Sequence, residues 1–305
     1  MMLKTKIKDI EFNSPILVAS GTFGFGDELS DMLDINELGG IVTKSITLKP
    51  REGNPPPRIA ETHAGMLNSI GLANVGVEVF CKEKLPFLNR LKTKVIINIA
   101  GSTFDEYIRT IEKIEDIGGN HIGYEINISC PNVKEGGMEF GINSKVTEKL
   151  TLELRKITDR LLIMKLSPNV TRIEDIALSA ENGGADAISA INTLDGMSID
   201  IQSRKPTLFT GRGGLSGPAI KPVAIALVNR ICRVLSIPVI GIGGISSYED
   251  IIEFILAGVN MVQIGTLNFR EPGIGLRLNK ELKNYCIENN IPKLQELKGK
   301  VELYS

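Results

Sequence analysis

The 305-residue chain carries 35 lysine and arginine residues and 36 aspartate and glutamate residues, and 42% of its residues are hydrophobic. This composition is typical of a globular protein with a large core, and the formal net charge of -1 argues against binding to nucleic acid or membrane surfaces by bulk electrostatics. No apolar run approaches the ~20 residues that span a bilayer, so we expect no membrane segment.

Short β-prone runs alternate with amphipathic helical patterns along the chain. Glycine ends the helical pattern just before a β-prone run, as suits a helix C-terminus, at Gly39–Gly40, Gly118–Gly119, Gly183–Gly184 and Gly258. The candidate strands are 16–19, 41–44, 95–99, 124–128, 162–166, 187–191, 239–241 and 261–264. This rhythm predicts an α/β fold, a closed (β/α)8 TIM barrel. The alternative is a doubly wound open sheet, but no dinucleotide-type G-x-G-x-x-G follows the first strand.

Three helix starts carry a capping-box pattern. The pairs are Thr103 with Glu106, Thr171 with Glu174, and Ser246 with Glu249. Two connections, 45–74 and 193–222, are too long for simple loops, and long loops of this kind are usually functional. We interpret both as excursions over the C-terminal face of the barrel. No linker divides the chain, so we expect one domain over residues 1–305.

Polar residues follow nearly every candidate strand, at the barrel end where active sites lie. They are Ser20, Lys44, Asn98, Asn127, Lys165, Asn192, Gly243 with Gly244, and Gly265 with Thr266. A buried lysine needs a partner because an isolated charge is costly to bury, so we interpret Lys44 and Lys165 as functional. Glycines after the last two strands indicate a phosphate-bearing ligand, which backbone N–H groups bind at that position in many barrels.

The cysteines and histidines limit the chemistry further. Cys130 lies just beyond the fourth strand, and nearby positive charge lowers a thiol pKa from about 8.5 towards values that suit a general base. From the pattern alone, a base or nucleophile and a structural role both remain open for Cys130. The other cysteines fall in helical patterns and are expected to be small core residues: Cys81, Cys232 and Cys286.

Cysteine spacing also bears on metals and compartment. The four cysteines lie far apart without a C-x-x-C pair, which argues against a disulfide framework, a zinc site or an iron–sulfur cluster. His63 and His121 show no metal-ligand spacing, so we expect no metal site. Residues 1–4 contain no signal-peptide core. Together these features predict a cytoplasmic protein.

These residues predict a barrel enzyme for a phosphorylated ligand but do not identify its substrate. A non-redox lyase or isomerase would use the same glycines, although it would more typically place carboxylates at the strand ends, where they are scarce here. A non-catalytic scaffold is disfavoured, because it would bury two lysines and several asparagines at a barrel mouth without return.

Eight motifs resemble the class 1 dihydroorotate dehydrogenases, and most closely the catalytic subunit of the NAD-linked 1B type. They are ASGTFG (19–24), TKSIT (43–47), PREGNPPPR (50–58), MLNSIGL (66–72), NIAGS (98–102), NISCPN (127–132), KLSPN (165–169) and GLSG (214–217). The resemblance covers essentially the whole chain. It implies a single barrel domain that binds one FMN and oxidises (S)-dihydroorotate to orotate in pyrimidine biosynthesis.

By motif position, the resemblance also assigns residues to each ligand. The implied FMN contacts are Ser20, Lys44, Ser45, Asn98, Asn127, Lys165, Ile191, Gly217, Gly243, Gly244, Gly265 and Thr266. The implied substrate contacts are Lys44, Asn68, Ser69, Ile70, Gly71, Leu72, Asn127, Asn192 and Thr193. Cys130 would take the C5 proton and flavin N5 the C6 hydride, while Lys165 would stabilise negative charge near flavin N1.

The electron acceptor follows from the resemblance alone. Type 1B implies a partner subunit that carries FAD and a [2Fe–2S] cluster and passes electrons to NAD, in a heterotetramer of two catalytic and two electron-transfer chains. Type 1A relatives reduce fumarate instead, and the absence of an N-terminal anchoring extension argues against the quinone-linked class 2. The nearest rivals are a dihydropyrimidine dehydrogenase-like domain and a dihydrouridine synthase; the latter must bind tRNA, for which the chain has no basic surplus.

Overall fold

Eight parallel strands close into a barrel in the computed structural model, which describes residues 2–129, 134–135, 138–302 and 304. The barrel strands are β1 (Ile16–Val18), β2 (Gly40–Val42), β3 (Lys94–Ile99), β4 (Gly123–Asn127), β5 (Leu161–Leu166), β6 (Ala187–Ala190), β7 (Val239–Ile242) and β8 (Met261–Ile264). Neighbours follow chain order, and β8 pairs with β1 to close the sheet. The predicted TIM barrel is confirmed, and each candidate strand coincides with a barrel strand apart from small shifts at its ends.

Helices connect the barrel strands. They are α1 (Gly76–Val79), α2 (Leu85–Leu88), α3 (Phe104–Ile117), α4 (Ser144–Arg155), α5 (Ile173–Asn182), α6 (Lys221–Cys232), α7 (Tyr248–Ala257) and α8 (Ile274–Glu288). A π-helical turn, Phe80–Lys84, joins α1 to α2. Glycine ends α3, α5 and α7 at the predicted positions, Gly118, Gly183 and Gly258. Over the described ranges, no helix is long and apolar enough to cross a membrane.

The remaining helical segments are 3-10 turns. They are Asp27–Leu29, Ile35–Glu37, Phe140–Ile142, Pro218–Ile220, Thr266–Phe269 and Leu294–Leu297. The helix expected before Gly39–Gly40 is therefore wrong, because only the turn Ile35–Glu37 stands there. Leu38 takes an extended backbone directly after this turn. Both Ile35 and Leu38 are buried against β1 and β2, so local packing rather than a continuous helical stripe places these apolar residues.

Two of the predicted helix starts can be compared at α3 and α5. Thr103 caps α3 and accepts a hydrogen bond from the Glu106 amide at 3.2 Å, as expected. The start predicted from Thr171 and Glu174 is wrong, since Arg172 is the residue that precedes α5 and no side chain caps it. The Glu174 carboxylate lies 3.8 Å from the Arg172 guanidinium, so an ion pair takes the place of the capping box.

The start of α7 is displaced by one residue from the prediction. Ser247 and Asp250 form the capping box, rather than Ser246 and Glu249. The Asp250 carboxylate also accepts from the Ser246 amide at 2.7 Å and its hydroxyl at 2.8 Å. The pattern S-S-Y-E-D offered two registers, and these additional hydrogen bonds to a buried carboxylate favour the second.

An N-terminal hairpin closes the lower end of the barrel. Its strands, Thr5–Ile7 and Ile10–Phe12, pair antiparallel. Ile7 and Phe12 are both fully buried. They belong to one apolar cluster with inward-facing residues of the barrel strands, namely Leu17, Val42, Ile96, Leu161, Ile163, Ala187, Ile240 and Met261. The amino end of the barrel is thus a packed apolar core, and polar chemistry is confined to the carboxyl end.

The two long excursions form a cap sheet over the carboxyl end. Its antiparallel strands lie in the order Leu194–Gly196, Gly213–Ser216, Gly65–Asn68 and Ile59–Thr62. Two further hairpins pair Ile199–Asp200 with Lys205–Pro206 and Lys134–Glu135 with Met138–Glu139. The excursions were expected, but their pairing with each other was not, because neither alone carries a complete hydrogen-bonding partner.

A buried hydrogen-bond network lies outside β4, near the amino end of the barrel. His121 is 1% exposed, and its Nε2 lies 2.8 Å from the Tyr124 hydroxyl. That hydroxyl donates to Glu115 at 3.0 Å, and Glu115 also accepts from Thr158 at 2.6 Å and Arg160 at 3.1 Å. Burial lowers the pKa of His121 to about 4, and the positive charge of Arg160 adds to this shift.

This shift makes stability depend on pH in a defined window. The folded-state pKa of His121 lies below its ordinary value of 6.5, so the unfolded chain binds the extra proton first and stability falls as pH drops from 6.5 towards 4. We expect the His121 contribution to cost roughly 2 kcal/mol between pH 7 and pH 5. Urea unfolding of wild type and His121→Gln at both pH values measures it, and His63→Gln, at an exposed histidine, is the control. An equal pH dependence in all three proteins would contradict the assignment.

Candidate active site

The strand ends converge at the barrel mouth, where most of the predicted cofactor residues lie. Ser20 follows β1, Lys44 and Ser45 follow β2, Asn98, Asn127 and Lys165 lie in β3, β4 and β5, Ile191 follows β6, Gly243 and Gly244 follow β7, and Gly265 and Thr266 follow β8. Gly217 instead ends a strand of the cap sheet. Closure of the sheet thus brings residues from eight separate segments to one edge.

The predicted substrate residues divide between two places. Asn68 ends a strand of the cap sheet, and its amide donates to the Gly214 carbonyl at 3.2 Å; Ser69, Ile70, Gly71 and Leu72 follow it. Asn192 and Thr193 come after β6, and the Asn192 amide donates to the Asn127 side chain at 3.3 Å. The cap sheet and the barrel mouth therefore each contribute amide groups to one opening.

The main chain around Asn127 is held from two sides. The Tyr107 hydroxyl donates to the Asn127 carbonyl at 2.8 Å. The Ser129 hydroxyl donates to the Lys165 carbonyl at 3.2 Å, and its amide donates to the Asn127 side chain at 3.3 Å. These contacts join the ends of β4 and β5 and fix the backbone that enters the segment containing Cys130. Cys130 itself lies outside the described residues.

Lys44 is a half-buried cation at the mouth. Burial lowers the pKa of Lys44 from its ordinary value, the positive charge of Arg58 adds to the shift, and the negative charge of Glu28 opposes it. Within the described ranges, no carboxylate lies within salt-bridge distance of the Lys44 ammonium. An anionic ligand would supply the missing counter-charge.

A polar layer, defined by Asn98, Glu125, Lys165 and Gln263, lies inside the barrel below the mouth. Glu125 is fully buried and accepts from the Asn98 amide at 2.7 Å and the Gln263 amide at 2.6 Å. The Lys165 ammonium lies 3.5 Å from the same carboxylate. Sequence reasoning missed Glu125 and Gln263; the available signal was a polar residue at an inward position of an otherwise apolar strand.

The glycines after β7 line a cradle that a side chain would fill. Gly244 has a φ of +75°, and a Cβ there would stand 2.8 Å from the Lys221 amide nitrogen and 2.9 Å from the Gly217 carbonyl. Gly243 has a φ of +132°, and its Cβ would meet Ala224 at 2.7 Å. Among the backbone hydrogen bonds of the described chain, the amides of Gly244, Gly265 and Thr266 have no carbonyl acceptor. Free N–H groups in a glycine cradle suit a phosphate group.

The three described cysteines behave as core residues, as expected. Cys81 and Cys286 are buried, and Cys232 is half-buried at the end of α6. Burial raises the pKa of all three thiols, to about 11 in Cys232. Thiols of this kind are not activated at neutral pH, which leaves Cys130 as the cysteine whose position suits a base.

Comparisons with known proteins identify the family. The family model described as dihydroorotate dehydrogenase matches residues 2–286. A relative from Thermoanaerobacter sp. (strain X514) is 48% identical over 99% of this chain and 100% of its own length. Relatives from Alkaliphilus oremlandii and Bacteroides thetaiotaomicron are 48% and 44% identical and match 97% and 99% of each chain. All three are named dihydroorotate dehydrogenase B (NAD(+)), catalytic subunit.

The glycine cradle yields a test of its geometry. We expect Gly244→Ala to lower the free energy of unfolding by about 2 kcal/mol, because it combines a strained φ with a backbone clash. Gly273→Ala is the matched control: no atom lies within 4 Å of its added Cβ and its φ is negative. Urea denaturation measures both variants, and equal losses would show that the cradle tolerates a side chain.

Proposed function

The chain belongs to the dihydroorotate dehydrogenase family, and on that premise we propose that it is an FMN enzyme that oxidises (S)-dihydroorotate to orotate in pyrimidine biosynthesis. The observation that carries the proposal is the convergence of a glycine cradle, two lysines and several amide side chains at one barrel mouth. Each of these suits one part of the two ligands. We further propose that residues 1–305 form a single FMN-binding domain.

The mouth fits FMN in its donor set. The cradle of Gly243, Gly244, Gly265 and Thr266 offers backbone N–H groups for the phosphate, and Gly217 packs against Gly244, which leaves the cradle free of side chains. Lys165 supplies a buried positive charge for the flavin. The remaining proposed contacts are Ser20, Lys44, Ser45, Asn98, Asn127 and Ile191. Bound FMN would supply the acceptor, N5, for the hydride from C6 of the substrate.

The amide-rich opening fits a planar, anionic pyrimidine. Carboxamides both donate and accept hydrogen bonds, as the ring amides of dihydroorotate require. The Asn127 and Asn192 side chains lie within 3.3 Å of each other, so one ring can contact both. Lys44, which lacks a carboxylate partner among the described residues, would pair with the substrate carboxylate. The other proposed contacts are Asn68, Ser69, Ile70, Gly71, Leu72 and Thr193.

Cys130 is the proposed base, and it follows directly from the segment that Ser129 and Asn127 hold in place. As thiolate, its sulfur would remove the C5 proton of dihydroorotate. Asn127 and Asn192 would fix the ring so that C5 faces the thiolate. The carboxylate pairing of Lys44 would prevent the ring from turning about its own axis.

The relatives' name, catalytic subunit, supports a partner chain. We propose that a second subunit carrying FAD and a [2Fe–2S] cluster takes the electrons to NAD, in a heterotetramer of two catalytic and two electron-transfer chains. The described residues include no group of three or more His, Cys, Asp or Glu side chains arranged for a metal ion, so the proposed cluster requires ligands beyond this set. We propose that the complex works in the cytoplasm.

Anaerobic titration of the purified, FMN-loaded chain with dihydroorotate tests the proposed reaction. We expect the visible flavin absorbance to bleach in proportion to added substrate, with one equivalent per flavin. NAD added to this chain alone should not restore the colour. A yellow protein that does not bleach would contradict the substrate, and a chain that binds no FMN would contradict the flavin and favour a non-redox phosphate barrel.

Replacement of Cys130 tests the proposed base. We expect Cys130→Ser to lose nearly all turnover at neutral pH, by at least ~100-fold, because a serine hydroxyl is a far weaker acid than a thiol. FMN should remain bound, and activity should partly recover at high pH. Cys232→Ser, at a cysteine in the helical layer, is the matched control and should keep wild-type turnover. Wild-type turnover in Cys130→Ser would remove this residue from the mechanism.

A further inference from the structure

Glu125 is a charged residue in the barrel interior that neither the sequence motifs nor the proposed reaction uses. Its side chain is 0% exposed. Both carboxylate oxygens are occupied, Oε1 by the Asn98 amide at 2.7 Å and Oε2 by the Gln263 amide at 2.6 Å. The third neighbour is the Lys165 ammonium, 3.5 Å from Oε1. Glu125 also lies two residues before Asn127 on β4, so both side chains face inward.

Stability alone does not account for this carboxylate. A buried ion pair loses solvation on both partners, and its replacement by apolar residues is often neutral or stabilising. The layer directly below consists of apolar side chains from the same strands, so an apolar residue at position 125 would continue a core that is already packed. Two amides and a lysine are instead arranged around a full negative charge.

Lys165 depends on that charge. Its side chain is 6% exposed, and Glu125 is the only carboxylate within salt-bridge distance of it in the described part of the chain. An ammonium this deeply buried without a counter-charge would lose its proton or move towards solvent. The amides of Asn98 and Gln263 fix the carboxylate, and the carboxylate in turn fixes the ammonium.

We propose that Glu125 is a positioning residue, which holds the Lys165 ammonium in place and charged so that Lys165 stabilises the negative charge that reduction adds to the flavin. This inference rests on the proposed function, because it requires FMN at the mouth. It assigns Glu125, Asn98 and Gln263 one shared task, in which the two amides act on Glu125 and Glu125 acts on Lys165.

The midpoint potential of bound FMN separates this role from its alternatives by sign. If Glu125 acts through Lys165, its replacement removes the stabilising positive charge and the potential falls. If the carboxylate acts on the flavin directly, its loss removes a negative charge and the potential rises. A residue that only fills space leaves the potential unchanged once FMN is bound.

The experiment compares wild type, Glu125→Gln, Lys165→Met and the double variant, each loaded with FMN. We expect Glu125→Gln to lower the midpoint potential towards that of Lys165→Met, and the double variant to match Lys165→Met. A higher or unchanged potential in Glu125→Gln, or a further drop in the double variant, would overturn the proposal. Asp186→Asn removes a partly buried carboxylate of another ion-pair network and should leave the potential unchanged.

A second variant covers a failure of Glu125→Gln to fold. Gln263→Leu keeps the carboxylate but releases its Oε2, and it should lower the potential in the wild-type background and not in the Lys165→Met background. An unchanged potential there would overturn the proposal. Bleaching of the wild-type flavin by dihydroorotate tests the proposed function separately, so a failed potential shift in an enzyme that bleaches contradicts only the role of Glu125.

Discussion

Closure of eight parallel strands imposes the constraint on which the rest of this molecule depends. Alternate residues of every strand must point at one axis, and side chains from the whole chain meet there. Near the amino ends this axis is filled by the apolar cluster that Ile7 and Phe12 complete. Near the carboxyl ends it is filled by Asn98, Glu125 and Lys165. The change from apolar to polar along the axis sets the floor of the candidate site.

The polar layer is stable only as a unit. Glu125 without its two amide donors would be an unsatisfied buried carboxylate, and Lys165 without Glu125 would be an isolated buried cation, each of which costs several kcal/mol. Some of its atoms remain unsatisfied, since Asn98 Oδ1 and Gln263 Oε1 are buried with no partner among the described residues. Buried groups of this kind cluster where a protein binds or reacts rather than where it only packs.

The sequence predicted the strands well because each one combines β-branched residues with a glycine that ends the preceding helix. It predicted the mouth well because residues such as Lys44 and Asn192 come directly after strands. Glu125 was missed because Y-E-I-N-I is dominated by its apolar members, and only the barrel register shows that position 125 faces three polar neighbours. Capping at Ser247 rather than Ser246 depended on tertiary contacts of Asp250, which no local pattern contains. The role of Cys130 stays a prediction.

The cap sheet has a consequence for how the molecule assembles. Its central pairing joins Asn68 to Gly214, which are 146 positions apart along the chain, and the strands between them belong to the barrel. Closing so long a loop is entropically costly unless the barrel has already brought its ends together. We expect the surface that selects the ligand to form after the scaffold that carries it, and to be the first part to open in native-state fluctuations. Ligand binding across the cap and the barrel mouth would then act as the last step of folding.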